Sequence, residues 1–204
     1  MLPSKEEAKI MLEEAHTQNP GPWVDHSRTV ARIAETIAKE CGLDANRAFV
    51  SGLLHDIGRY EGVTDLRHIY AGYELMKSKG YDEIAQICLS HSFQSQEDIG
   101  VYGLRNGSIS DCTPVEIEFI SSFIANTVFD DYDKLIQLGD AMGLAEGVCL
   151  IEVRLINVVR RYGFNDFTLK KWDAIFDIKA HFDKLCGKNI YDLFYDEIID
   201  ASFR

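Results

Sequence analysis

Apolar residues recur at helical spacing along almost the whole chain, and Gly, Pro and capping residues predict where each helix stops. Residues 4–16 open with Ser4 and Glu7 at capping-box spacing. Asn19-Pro20-Gly21-Pro22 is a hard break. An amphipathic helix follows from residue 25 or 26 to 41, with Val30, Ile33, Ala34, Ile37 and Ala38 on one face and Gly42 at its end. Asp44 caps a helix that runs to about residue 57, where Gly58 ends it. Residues 68–79 read as a third core helix, closed by Gly80, and Asp82 caps a fourth that carries Ile84, Ile87, Cys88 and His91. Residues 93–112 are polar and weakly periodic, a stretch that suits a lid, a binding loop or a plain surface loop. Thr113-Pro114-Val115-Glu116 combines a capping box with Pro at the first helical position. Helical pattern continues through Asp140, breaks near Gly143 and Gly147, and resumes over 148–162, 169–185 and about 190–199. Clean β alternation is absent, so the expected fold is all-α, a bundle of eight or so helices in one domain over 1–204.

Composition changes that picture little. The chain has 204 residues, 46% hydrophobic and 26% charged, enough to bury a core without structural metal or disulfides. Cys41, Cys88, Cys112, Cys149 and Cys186 are odd in number and never form a C-x-x-C pair, so they read as reduced, buried thiols of a cytosolic protein. The start lacks an apolar signal core and no 18-residue apolar run exists. The expectation is a cytoplasmic chain with no membrane contact. The net charge of −12 argues against a polymeric nucleic acid as partner; a small phosphorylated substrate is compatible with it, because local cations or a bound metal can reverse the field inside one cleft.

Candidate chemistry centres on His55 and Asp56, adjacent in the run Gly52-Leu53-Leu54-His55-Asp56-Ile57-Gly58. Adjacent residues on a helix point about 100° apart and rarely share a packing role. A borderline nitrogen donor beside a hard oxygen donor suits a first-row metal ion. The plainer account is a helix C-terminus with a dipole-favoured His and a solvated Asp. Six His are present, and His26, His55, His68 and His91 fall on faces expected to be buried; His16 and His181 do not. Asp140 extends the apolar stripe of Tyr132 and Ile136. One buried His needs only a carbonyl partner. Four His and two Asp on inward faces of five helices point to a divalent cation, because an unpaired buried carboxylate is expensive.

His26, the doublet His55-Asp56 and the distant Asp140 resemble the ligand pattern of the HD superfamily of metal-dependent phosphohydrolases, over roughly residues 20–160. His55-Asp56-Ile57-Gly58-Arg59 is similar to the common H-D-I-G-K, with Arg in place of Lys. The resemblance implies an all-helical fold with metal in the middle of the bundle. His68 and His91 stand where the binuclear subgroups, such as the diadenosine tetraphosphate hydrolases, add two ligands. The G-Y-P signature of the cyclic-di-GMP enzymes is missing, which argues against that substrate.

The resemblance therefore implies one or two divalent ions (Fe, Mn, Co, Ni or Zn) held by His26, His55, Asp56, His68, His91 and Asp140. Asp56 would bridge the two, with His26, His55 and Asp140 on one ion and His68 and His91 on the other. Metal-activated water would cleave a small phosphoester or nucleotide. Arg59 is a candidate phosphate clamp or simply a surface Arg. Lys134 is a candidate substrate contact or an exposed helix Lys. Nothing in the sequence singles out Arg154, Arg160 or Arg161. Residues from about 165 to 204 read as accessory helices, a cap or a homodimer contact, with Trp172, Phe176 and Phe182 as core packing. A non-haem diiron oxygenase of the same fold and a non-catalytic nucleotide-sensing module are the competing functions.

Overall fold

A computed structural model describes residues 1–94, 111–164 and 167–202. Helices dominate, as the periodicity requires: α1 (Lys5–Gln18), α2 (Trp23–Glu40), α3 (Ala45–Leu54), α4 (Arg67–Ser78), α5 (Asp82–Ser90), α6 (Pro114–Asn126), α7 (Asp131–Met142), α8 (Ile151–Tyr162), α9 (Thr168–Cys186) and α10 (Tyr195–Ser202). Short 3-10 turns cover Ile57–Glu61 and Ile190–Phe194. The only strands among the described residues are Gly143–Leu144 and Gly147–Val148, an antiparallel pair of two residues each. The bundle is all-α.

The predicted boundaries differ from the observed ones in three instructive places. The capping boxes at Ser4/Glu7 and Thr113/Glu116 both form. The long pattern expected to run through Asp140 is instead split, because Asp130 makes a third box with Asp133 and starts α7 anew. Asp82 is the first residue of α5 rather than its cap, which is Tyr81 with no side-chain bond. Gly58 does not end α3, which stops at Leu54. Its role is contact: a Cβ at Gly58 would sit 2.0 Å from the His68 carbonyl oxygen and 2.3 Å from the Gly72 nitrogen. Only Gly lets the chain after the doublet pass this close to α4.

Helix α2 is the central element. Val30, Ile33, Ala34 and Ile37 pack with α7 and α9 in one cluster, while Ala31 faces α1, α3 and α5 in another. Gly52 of α3 lies against Ala31, where a Cβ would come within 2.8 Å of the Ala31 Cα. A third cluster joins Ile69, Leu89, Phe93, Ile120 and Ile124 across α4, α5 and α6. Phe182 of α9 is fully buried, and Phe194 and Ile198 join the same core. Burying one such side chain contributes about 1.5–3 kcal/mol. The stretch expected as a lid or binding loop falls mostly outside the described residues, at 95–110. Two of its edges are described: Phe93 is buried and Asp111 reaches back to α4.

The expectation of five reduced thiols needs correction. Cys41, just after α2, and Cys186, the last residue of α9, form a disulfide across a sequence separation of 145. Such a distant pair has no local signature in a sequence. Cys88, Cys112 and Cys149 are free and buried.

Candidate metal centre

The six candidate ligands sit at helix ends, and the ends converge. His26 lies in the first turn of α2, which starts where Pro22 can cap but not continue a helix. His55 is the C-cap of α3, and Asp56 follows with φ −101° and ψ 13°, outside helical geometry. That break lets two adjacent side chains aim at the same space, which a continuous helix would forbid. His68 is in the first turn of α4, His91 is the C-cap of α5, and Asp140 is in the last turn of α7. His26, His55, Asp56, His68 and His91 are buried; Asp140 is half-buried. Ring centroids are 5.3 Å apart for His26–His55, 4.9 Å for His55–His91 and 5.5 Å for His68–His91.

Backbone carbonyls fix three of the four rings. Nδ1 of His55 is 2.7 Å from the Gly52 oxygen, Nδ1 of His68 is 2.6 Å from Asp65 O, and Nδ1 of His91 is 3.2 Å from Ile87 O. A carbonyl can only accept, so each Nδ1 carries the proton and each Nε2 presents a lone pair. Those lone pairs face carboxylate oxygens. His68 Nε2 is 3.1 Å and His91 Nε2 3.5 Å from Asp56 Oδ1, and His55 Nε2 is 3.9 Å from Asp56 Oδ2. His26 Nε2 is 2.9 Å from Asp140 Oδ1 without hydrogen-bond alignment. Both ring nitrogens of His26, His55 Nε2 and Asp56 Oδ1 are buried with no hydrogen-bond partner among the described residues.

Acceptor facing acceptor in a buried space is unfavourable unless a cation lies between them. The donor set therefore fits a divalent metal. Two groups have ligand atoms within 4.8 Å of one another: His26, His55 and Asp140, and His55, Asp56 and His91. His55 belongs to both. Nitrogen and carboxylate donors together suit a first-row divalent ion.

The electrostatics agree. Burial pushes the His55 pKa down to about 3, with His91 and His26 adding to the effect and Asp56 opposing it. Burial also lowers the pKa of His68, helped by Arg59. Neutral imidazoles are what a metal requires. For Asp56 burial acts upward, but Arg59, His68 and His55 outweigh it and hold the carboxyl well below its usual range. For Asp140 the same upward push of burial is overcome by Arg154 and His26.

Supporting contacts come from Arg59, expected as a phosphate clamp or a surface Arg, and from Arg154, Asp111, Gln137 and Asp133, which carry no such expectation. Arg59 Nε donates to Asp56 Oδ2 at 2.6 Å. Arg154 of α8 donates through Nη2 to Asp140 Oδ1 at 3.0 Å and through Nε to the Asp140 carbonyl at 3.3 Å. Asp111 accepts the backbone N–H groups of Asp65, Leu66 and Arg67, at 2.8, 3.0 and 2.8 Å, and so caps α4 just before His68. Gln137 Nε2 donates to the carbonyls of Ser90 and Phe93, which fixes the turn around His91. Asp133 accepts from Ser90 Oγ and Gln86 Nε2. A signal for part of this was present: Asp133, Gln137 and Asp140 lie four and three residues apart on one stripe of α7. Asp111 had none, because it follows a long aperiodic stretch.

A cleft of about 850 Å³ opens onto this pocket. His26, Asp56 and Arg59 line one side, and Arg154, Asn157, Arg160 and Arg161 of α8 line another. Lys134 does not reach it. It sits in the first turn of α7, six residues or about 9 Å along the helix from Asp140. His16 and His181 lie apart, beside Glu13 and Asp131. Among the described residues no helix is long and apolar enough to cross a membrane.

Comparison with known proteins overturns one expectation. Stretches of this chain resemble curated proteins named Ribonuclease Y. The protein of Mesoplasma florum is 44% identical over 62 residues, 29% of this chain and 12% of that protein. That of Chlorobaculum tepidum is 44% identical over 69 residues, 34% of this chain and 13% of that protein. That of Acetivibrio thermocellus is 31% identical over 140 residues, 62% of this chain and 26% of that protein. The matched stretches thus span between about an eighth and a quarter of these relatives' lengths. No solved structure matches. Relatives named for cleaving RNA contradict the exclusion of polymeric nucleic acid that was drawn from net charge. The physical reason is one of range: net charge sets the far field and does not describe the local field of a cleft lined by Arg59, Arg154, Arg160 and Arg161. The HD domain model matches residues 23–142, the stretch that carries all six converging side chains, and the chain belongs to the HD domain family of metal-dependent phosphohydrolases.

Proposed function

We propose that this protein hydrolyses a phosphoester of a nucleotide substrate at the His/Asp pocket, the nucleotide being free or part of an RNA chain. The observation that carries this reading is that both ring nitrogens of His26, His55 Nε2 and Asp56 Oδ1 are buried with no hydrogen-bond partner among the described residues, in a pocket where His68 Nε2 and His91 Nε2 also face Asp56 Oδ1. His26, His55 and Asp140 would hold one divalent ion, and Asp56, His68 and His91 a second, with His55 within reach of both. Fe, Mn, Co, Ni and Zn all suit these donors. When bound, such an ion lowers the pKa of water and stabilises negative charge on phosphoryl oxygens.

The chain's own residues do the rest. Burial pushes the Asp56 carboxyl upward, but the Arg59 guanidinium on Oδ2, together with His68 and His55, outweighs it, so Asp56 stays ionised at neutral pH. Arg59 keeps that carboxylate in place through Nε, with Nη1 and Nη2 each 3.4 Å from the Thr64 carbonyl and His68 Nε2, and it brings a positive charge to the wall of the cleft that would attract a phosphoryl group. Arg154 fixes the Asp140 carboxylate, the supporting role that outer contacts play for metal ligands. The Nδ1–carbonyl bonds hold three rings in the tautomer that presents Nε2 to the pocket.

Elemental analysis of the purified protein, followed by a screen of phosphomonoesters, phosphodiesters, nucleotides and short RNAs with each metal, tests the proposal. The expected result is bound first-row metal and turnover of at least one nucleotide phosphoester. His55→Ala with Asp56→Ala should lose both. Wild-type metal content in that double variant, or no hydrolysis with any metal, would remove the reading.

A further inference from the structure

The stretch that matches the HD model ends at residue 142, yet one wall of the cleft comes from beyond it. Arg154, Asn157 and Arg161 lie three and four residues apart on α8, so they share a face, and Arg160 borders it. From 154 to 161 this row is about 10 Å long at the helical rise per residue. It begins at Arg154, which touches the ligand Asp140, and leads away from the pocket along the cleft.

The row stands out in so acidic a chain. Arginines of this chain bind carboxylates, as Arg32 does with Glu197, Arg47 with Glu83 and Asp130, and Arg154 at the head of the row with Asp140. Arg160 is exposed and makes no ion pair among the described residues. Arg161 bonds the Asn157 carbonyl through Nε. Apart from the ligands themselves, the acidic side chain on the cleft wall is Glu146. A single phosphate at the metals needs no cations a turn or two farther along a helix.

We propose that this face of α8 binds the phosphates beside the one being cleaved, so that the preferred substrate is a chain of phosphates and not an isolated phosphoester. The inference rests on the phosphohydrolase reading above and adds the substrate's form. Arg154 acts mainly as a positioning residue for Asp140; Asn157, Arg160 and Arg161 are the specificity-determining contacts. Guanidinium groups recognise phosphate oxygens through paired, charge-assisted hydrogen bonds, and an amide adds a neutral donor. Two sources offer this chemistry: the phosphodiester backbone of a single-stranded oligoribonucleotide and the polyphosphate of a nucleoside triphosphate.

The test pairs a binding readout with a kinetic one, using the full chain and the variant Arg160→Gln/Arg161→Gln, with circular dichroism to verify folding. Binding of a labelled six-nucleotide RNA is followed by fluorescence anisotropy in EDTA, where cleavage is blocked, across a range of salt. Losing two phosphate contacts on a single strand should flatten the slope of log affinity against log salt by about 1.4, at roughly 0.7 per contact. With metal added, kcat/KM is compared for the RNA, for ATP and for bis-p-nitrophenyl phosphate, which carries one phosphate. The loss on RNA should exceed the loss on the single-phosphate diester by roughly tenfold, expressed in KM. An excess loss on ATP with none on RNA supports the wall and identifies a polyphosphate as its ligand. An unchanged salt slope together with equal losses on all three substrates overturns the proposal. Wild-type protein that cleaves nothing while the slope still flattens would end the phosphohydrolase reading and leave the wall as a binding surface.

Discussion

The two halves of the pocket are held in different ways. Around Asp56, the rings of His55, His68 and His91 are each fixed by a carbonyl three or four residues back in the same stretch of chain. Around Asp140, His26 has no such bond; it faces a carboxylate from α7 that is itself held by Arg154 of α8. The rings of the first half are fixed locally, with Asp111 and Gln137 bracing the turns that carry His68 and His91, whereas the second half is held by helices packed across the bundle. Local fixing survives loosening of distant elements. The second half instead makes the site dependent on α8, a helix outside the stretch that defines the family.

His55 tests the comparison most severely, because it belongs to both groups. His55→Gln should abolish binding at both positions, whereas His26→Ala and His91→Ala should each lower the metal stoichiometry by one at most, as read by elemental analysis. The same variant carries a pH signature. In the folded protein burial holds the His55 pKa near 3, against 6.5 in its ordinary state. Between those values the unfolded chain binds the extra proton, so metal-free stability is complete above about pH 6.5 and declines as pH falls toward 3. Denaturation curves of His55→Gln should decline less steeply over that window.

The disulfide breaks the comparison from its far side. It ties the end of α2, the helix that carries His26, to the end of α9. Reduction, or Cys186→Ser, should lower unfolding free energy by about 2–4 kcal/mol, measured by denaturant titration with and without reductant. Equal curves would mean that the bond contributes nothing to this half.

Arg154→Gln is the next smaller effect. Residues that orient metal ligands typically contribute 10–100-fold in metal affinity. The loss should fall on the His26/Asp140 position and spare the other, which a titration with a metal-sensitive dye can resolve as two steps. Asp111→Ala should be smaller still. Removing a helix cap costs about 1 kcal/mol, and the change should weaken the His68 side first. For Asp111, burial raises the carboxyl pKa but the backbone bonds of Arg67 and Asp65 overcome it, so the net shift is downward. The cap therefore acts above the ordinary carboxylate range and is lost as pH falls through the lowered folded value.

This division also explains what could be read from the sequence. Periodicity and capping boxes at Ser4 and Thr113 gave the helices, since both are local signals. The His and Asp residues stood out because imidazoles and carboxylates on apolar faces are costly unless paired. The split at Asp130, the close approach at Gly58 and the Cys41–Cys186 bond depend on what lies across the bundle, and none has a distinctive neighbourhood in the chain. Arg154 was indistinguishable from Arg160 and Arg161 by spacing alone; only the packing of α8 on α7 brings it to Asp140. Net charge was the weakest guide, because it sums over the whole surface and says nothing of the arginines that line one cleft.

The central claim is that a cation sits where the imidazole and carboxylate lone pairs meet. Anomalous X-ray scattering at the absorption edge of the metal found by elemental analysis tests it directly in a crystal of the full chain. The account predicts a peak within coordination distance of His55 Nε2 and of the carboxylate oxygens of Asp56 or Asp140. Four imidazoles bridged to those oxygens by water alone, with the metal bound elsewhere or absent, would contradict it.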